Sequence, residues 1–148
     1  MTRKTEKTHK LIEKGLLVLT TVIFLPVLMA CGNSQKLSDK FDEQEVKAAA
    51  ETLIGYLSEE DLENFCAMPM SEKMKAATTP ESMSAVVSQY IGNRGAFVEY
   101  KSNVAVGAKD ENGEACAVAV VVTKYENQTV TYTLSFDQEM KLIGFYLK

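Results

Sequence analysis

The hydrophobic period of this chain changes once, at Gly95, and that change constrains the fold more than any other feature. Before it, apolar residues recur every three or four positions; after it, they alternate. From Ser38 to Leu57, the residues Phe41, Val46, Ala49, Ala50, Leu53, Ile54 and Leu57 line one helical face, with Ser38 or Asp39 as the cap. Ser58-Glu59-Glu60-Asp61 reads as a second cap followed by acids suited to the positive end of a helix. The acids are also readable as a cation site, although capping accounts for them. The short helix behind them turns Leu62, Phe65 and Cys66 inward and stops at Pro69. Glu72 to Ala77 predicts another turn or two. Thr79-Pro80-Glu81 predicts a further helix start, with Thr79 as cap and Pro80 in the first position. Its stripe is Met83, Val86, Val87, Tyr90 and Ile91, and Gly92-Asn93-Arg94-Gly95 ends it.

After Gly95 the alternation predicts strands at 96–109, 114–125, 129–136 and 141–147. Asn112-Gly113 predicts a two-residue hairpin turn, which pairs Tyr100 with Tyr125, Val104 with Val121 and Val106 with Ala119. A tight turn near Glu126-Asn127 sets Val121 against Tyr132. A four-residue loop at 137–140 sets Leu134 against Ile143 and Tyr132 against Phe145. One face then collects Val98, Tyr100, Val104, Val106, Ala119, Val121, Val130, Tyr132, Leu134, Phe136, Ile143, Phe145 and Leu147, and the helices must cover it. The expected class is α+β, with N-terminal helices packed on one face of a curved four-stranded antiparallel meander. The opposite face carries Phe97, Val118, Val120, Val122, Leu142 and Tyr146. It reads as an interface, although strand propensity also accounts for the valines.

The front of the chain has a different character. Its first fourteen residues hold Arg3, Lys4, Lys7, Lys10 and Lys14 against Glu6 and Glu13, and residues 15–30 carry no charge. A basic stretch, an apolar run and a small residue make the pattern of an export signal. Sixteen helical residues would span about 24 Å, short of the roughly 30 Å hydrocarbon core. Leu28-Met29-Ala30-Cys31-Gly32 resembles the lipobox of bacterial lipoproteins. The resemblance implies cleavage between Ala30 and Cys31 and a diacylglyceryl group on the Cys31 thiol. Met29 departs from the commoner small or β-branched residue there. The expected division is a signal peptide at 1–30, a lipidated tether at 31–37 of roughly 20 Å extended, and one domain at 38–148. The expected location is the outer face of the cytoplasmic membrane, held by two acyl chains. The alternative is an uncleaved signal anchor.

Removing the signal takes five basic and two acidic residues, so the remaining 118 residues keep eleven against eighteen, a net charge of −7. That charge repels nucleic acid and anionic polymers, and neither is expected as a partner. His9, the only histidine, leaves with the signal, and there is no tryptophan. Histidine triads, histidine metal ligands and the usual neutral general base are thereby excluded, and no cofactor or metal is expected. Cys66 and Cys116 sit in apolar surroundings and read as buried thiols, with a disulfide as the alternative in an exported protein. Asp110-Glu111-Asn112-Gly113-Glu114 gathers oxygen ligands but lacks the spacing of a calcium loop. Arg94 reads as a partner for helix-end carbonyls, or for an anion at the rim of the sheet.

The order of elements resembles the nuclear-transport-factor-2-like (cystatin-like) cone fold. More narrowly, residues 41–147 resemble the bacterial domain-of-unknown-function 3887 family. The resemblance rests on the helix Phe41–Leu57, Met70-Ser71-Glu72-Lys73-Met74-Lys75, Thr79-Pro80-Glu81, Gly95-Ala96-Phe97, Phe136-Asp137 and Lys141-Leu142-Ile143-Gly144-Phe145. It implies a fold and an exported setting, and no reaction. Enzymes on such a cone place acids or bases inside it, whereas the core face of this sheet offers Ser102, Thr123 and the tyrosines Tyr100, Tyr125 and Tyr132, beside Phe136. Ala117, Ala119 and Ser102 leave some room there. The expectation is therefore a non-catalytic module that binds a small apolar ligand in the cone or a protein on the open sheet face, the simplest case being a homodimer. The alternatives are an isomerase or dehydratase using the pocket tyrosines, and an inhibitor or immunity-type partner of another envelope protein.

Overall fold

The computed structural model describes residues 35–148. The expected signal peptide, its expected cleavage point between Ala30 and Cys31, and the first part of the expected tether lie outside the described residues. Four helices precede four strands: α1 (Glu43–Ser58), α2 (Leu62–Ala67), α3 (Glu72–Ala77), α4 (Pro80–Ile91), then β1 (Phe97–Lys109), β2 (Ala115–Tyr125), β3 (Thr129–Phe136) and β4 (Leu142–Leu147). The strands form one antiparallel meander in the order β1-β2-β3-β4. No described helix is long and apolar enough to cross a membrane.

The caps are chemically as expected but displaced at two helices. α1 starts at Asp42, whose carboxylate accepts from the N–H groups of Gln44 and Glu45 at 2.8 and 2.9 Å. Ser38 and Asp39 precede it in a turn closed by Phe41 N–H to the Ser38 carbonyl. Ser58 ends α1, and Asp61 rather than Ser58 caps α2. Ser71 caps α3, and Thr79 with Ser82 forms a reciprocal capping box on α4. Val46, Ala50, Leu53, Ile54 and Leu57 of α1 are buried against the inner face of the sheet, together with Phe65, Met83, Val87 and Ile91. Tyr90, expected in the α4 stripe, is exposed.

The strand bounds match the alternation, and β2 pairs with β3 as expected: Val121 faces Tyr132 and Ala119 faces Leu134. The first hairpin does not. Val104 pairs with Val120, Ala105 with Ala119 and Val106 with Val118. The cause is the turn. Gly113 has φ +82°, while Asn112 stays out of the positive-φ region that a two-residue type I′ turn requires of both residues. Asp110 closes a three-residue loop instead, its carboxylate accepting from the N–H groups of Asn112 and Glu114, both at 2.9 Å. One residue of slip turns Val104 and Val106 to the outer face. A register shift between Tyr100 and Ser102 returns Tyr100 to the inner side, opposite Thr123, and a second between Phe97 and Glu99 brings Phe97 to that side, opposite Tyr125. Ser102 and Val98 are exposed, against expectation.

The same turn recurs at the other hairpin. Asp137 accepts from the N–H groups of Glu139 and Lys141, and Met140 takes the left-handed position at φ +58°. The three-residue loop between Asp137 and Lys141 moves the pairing by one residue and sets Phe136 opposite Leu142, which buries Leu142. A bulge between Ser135 and Phe136 adds a second residue, so Leu134 faces Phe145 and Tyr132 faces Leu147, two residues on from the expected register, and Ile143 is half-buried.

Candidate functional site

Three hydroxyls line up under the inner face of the sheet. Tyr125 Oη lies 2.6 Å from Ser58 Oγ and 2.7 Å from Tyr132 Oη. Tyr125, Tyr132 and Phe136 are all buried, and Tyr100 is half-buried. Burial, and then the bond to Tyr125, push the Tyr132 hydroxyl far above the usual tyrosine range, with Arg94 opposing weakly. Tyr100 donates to the Glu51 carbonyl at 3.2 Å, and burial followed by the Glu51 charge raises its pKa as well. Each of the three tyrosine hydroxyls expected in a pocket is thus engaged by the protein itself.

Arg94 decides the end of this layer. It is 5 % exposed, held between the C-termini of two helices. Its Nη1 donates to the Ile91 carbonyl of α4 at 2.8 Å, and its Nη2 to the Ser58 and Leu57 carbonyls of α1 at 2.8 and 3.3 Å. The guanidinium also sits 5.4 Å from the centre of the Tyr125 ring. Partnering helix-end carbonyls is one of the two roles read from the sequence; burial of the charge beneath the sheet was not legible there. Phe97 closes the same end, packed edge-on against Tyr100 and Tyr125 at 4.9 and 6.1 Å between ring centres. It stands with the inner tyrosines, which corrects its expected place on the open face.

Sequence reasoning also missed the contact between β1 and α1. Asn103 turns inward after the β1 bulge and donates to the Lys47 carbonyl and to Glu51 Oε1 at 3.2 and 2.9 Å. Only the corrected register puts Asn103 on that side. Among the described residues, Arg94 Nε, Asn103 Oδ1 and Thr123 Oγ1 are buried without a hydrogen-bond partner. Cys66 and Cys116 are free thiols, both with pKa raised by burial.

The outer face is where side chains remain uncommitted. Val104, Val120, Thr133 and Tyr146 form one cross-strand row, and Val106, Val118, Ser135 and Gly144 the next. Val122 continues beside Ser102 and Thr131. Val104 is 51 % exposed and Tyr146 56 % exposed, and Val118, Val120 and Val122 are half-buried. Of the six residues expected there, Val118, Val120, Val122 and Tyr146 share this face. Phe97 and Leu142 do not, and Val104 and Val106 take their place. An open groove of about 400 Å³ runs along the β1 edge of the sheet, between residues 35–43 and Ala105 and Val106 of β1, so Val106 borders it as well as the outer face; it does not lie between the helices and the sheet centre.

Comparison with known proteins agrees with the fold. An NMR structure of a protein from Ruminococcus gnavus ATCC 29149 superposes with a TM-score of 0.64 at 24 % identity, over 78 % of this chain and 99 % of that one. No curated protein matches. The model of the family "Protein of unknown function (DUF3887)" matches residues 50–145, a span from within α1 to within β4. The chain belongs to the DUF3887 family.

Proposed function

We propose that this chain is an exported lipoprotein, held at the outer face of the cytoplasmic membrane by lipid on Cys31, whose domain is a non-catalytic protein-binding module. The outer face of the sheet is its binding surface. The observation that carries this reading is the set of aligned rows on that face, in which Val104, Val106, Val118, Val120, Val122 and Tyr146 adjoin with no covering element among the described residues. The slip of the first hairpin enlarges this apolar patch by two valines. The filled inner face supports the same choice, since Tyr125, Tyr132 and Phe136 spend their surface on the core and not on a cone ligand.

The simplest partner is a second copy, joined face to face about a two-fold axis. Sedimentation of residues 33–148, a compact unit, tests it. The expected result is a dimer that Val120→Lys dissociates. A strict monomer at high concentration, with behaviour unchanged by Val120→Lys, overturns the dimer. Anchoring has its own test: labelled fatty acid enters the parent in cells and fails to enter Cys31→Ala. Incorporation into Cys31→Ala removes the lipoprotein reading.

A further inference from the structure

The tether is shorter than its composition suggests. The Gln35 carbonyl accepts from Gly107 N–H at 2.9 Å, and the two residues form an antiparallel bridge. Gly107 permits the approach, because a Cβ there would stand 2.5 Å from the Lys36 carbonyl oxygen. Leu37 packs against the core. The segment 35–37, expected to be part of a free tether, is instead fastened to β1. Only residues 32–34 separate the fastened chain from Cys31, so Cys31 lies within about 14 Å of Gln35 by contour length.

The bridge sits near one end of the sheet. Gly107 is close to the Asp110 turn, and the meander brings the Asp137 turn to the same end. The opposite end holds Asn93, Arg94, Phe97 and the Glu126–Gln128 turn, which are tied together by Asn127 N–H to the Arg94 carbonyl at 2.8 Å. Ten residues of β1 separate Gly107 from Phe97, about 33 Å.

We infer that the domain stands on the membrane with the two aspartate turns toward the lipid surface and the Arg94–Phe97 end away from it. This rests on the anchoring of Cys31 proposed above. Surface charge does not set the orientation, because the proximal turns mix Lys36, Lys109 and Lys141 with Asp110, Glu111 and Glu139. The covalent exit point sets it, since 14 Å of chain is less than half the length of β1. The outer sheet face is then held upright beside the bilayer, accessible to a neighbour anchored in the same membrane.

The absence of tryptophan allows a direct measurement. The lipidated chain is placed in phosphatidylcholine vesicles carrying a dansyl group on a fraction of the headgroups. Asn112→Trp and Asn93→Trp, both at exposed positions, each supply one donor. Energy transfer is expected to be several times stronger from the Asn112→Trp variant. Equal transfer, as for a domain lying flat, or stronger transfer from the Asn93→Trp variant overturns the orientation. A lengthened version of each variant carries ten Gly/Ser residues inserted after Gly32, which leaves the fastened segment untouched. The difference should shrink sharply; an undiminished difference overturns the tether as its cause. Failure of every variant to join vesicles removes the anchor itself, a different result from equal transfer by bound protein.

Discussion

Replacing Arg94 with methionine keeps much of the side-chain volume and deletes the guanidinium that joins α1 to α4. Two of its bonds, to the Ile91 and Ser58 carbonyls, are short at 2.8 Å, and the third, to Leu57, is long at 3.3 Å. Charge-assisted bonds of this kind contribute about 1.5 kcal/mol each at the lower end, so the two short ones give about 3 kcal/mol. The face of Tyr125 adds about 1 kcal/mol. Glu60, 3.6 Å away and largely exposed, adds close to nothing because water screens it. Against this, methionine avoids burying a charge and an unpartnered Nε, which returns about 1–2 kcal/mol. The net cost is about 2–3 kcal/mol, or a fall in Tm of about 10 °C for a domain of this size. Urea titration of residues 33–148 measures it, with an unchanged slope marking a change in stability alone. Arg94→Lys should fall between parent and Arg94→Met, since one ammonium cannot span the carbonyls of both helices. A cost under about 0.5 kcal/mol for Arg94→Met, the range of an ordinary surface change, refutes the reasoning.

Tyr132→Phe should cost about 1 kcal/mol by urea titration, for one lost buried hydroxyl bond. Because folding raises the Tyr132 pKa, the folded chain keeps a proton that the unfolded chain releases above about pH 10. The stability from this group is complete below that pH and is lost as pH rises above it; Tyr132→Phe should show a shallower alkaline decline. Gly113→Ala should cost about 1 kcal/mol from backbone strain alone, since nothing lies within 4 Å of the added Cβ; a neutral result there contradicts the left-handed turn. Gly107→Ala should push residues 35–37 off β1 and speed tryptic cleavage after Lys36, whereas an unchanged cleavage rate means that the bridge is not what protects that bond.

The helices and strands were legible because their signals are local. Thr79-Pro80 carries its own helix start, and Val130 to Phe136 alternates without help from any neighbour. The candidate site was legible in part. Tyr100, Tyr125, Tyr132 and Phe136 do stand on the inner side of the sheet, but what engages their hydroxyls is invisible in the spacing: Ser58 is 67 residues from Tyr125. The outer patch was read with two residues wrong and two missing, all through strand register.

Local signals carry the order and bounds of the elements, the α+β class and the face that β2 and β3 turn inward, because periodicity and capping act within a few residues. Tertiary structure decided the rest. Asn112-Gly113 suits a two-residue or a three-residue turn, and the choice falls to the carboxylate of Asp110 and to the packing of Asn103 and Tyr100 under α1. Likewise, Arg94 is an ordinary loop arginine until α1 and α4 bring their last carbonyls to the same point. Apart from the local Asp110 turn, these outcomes depend on groups distant in the chain, and a bond between distant groups exists only once the fold has brought them together.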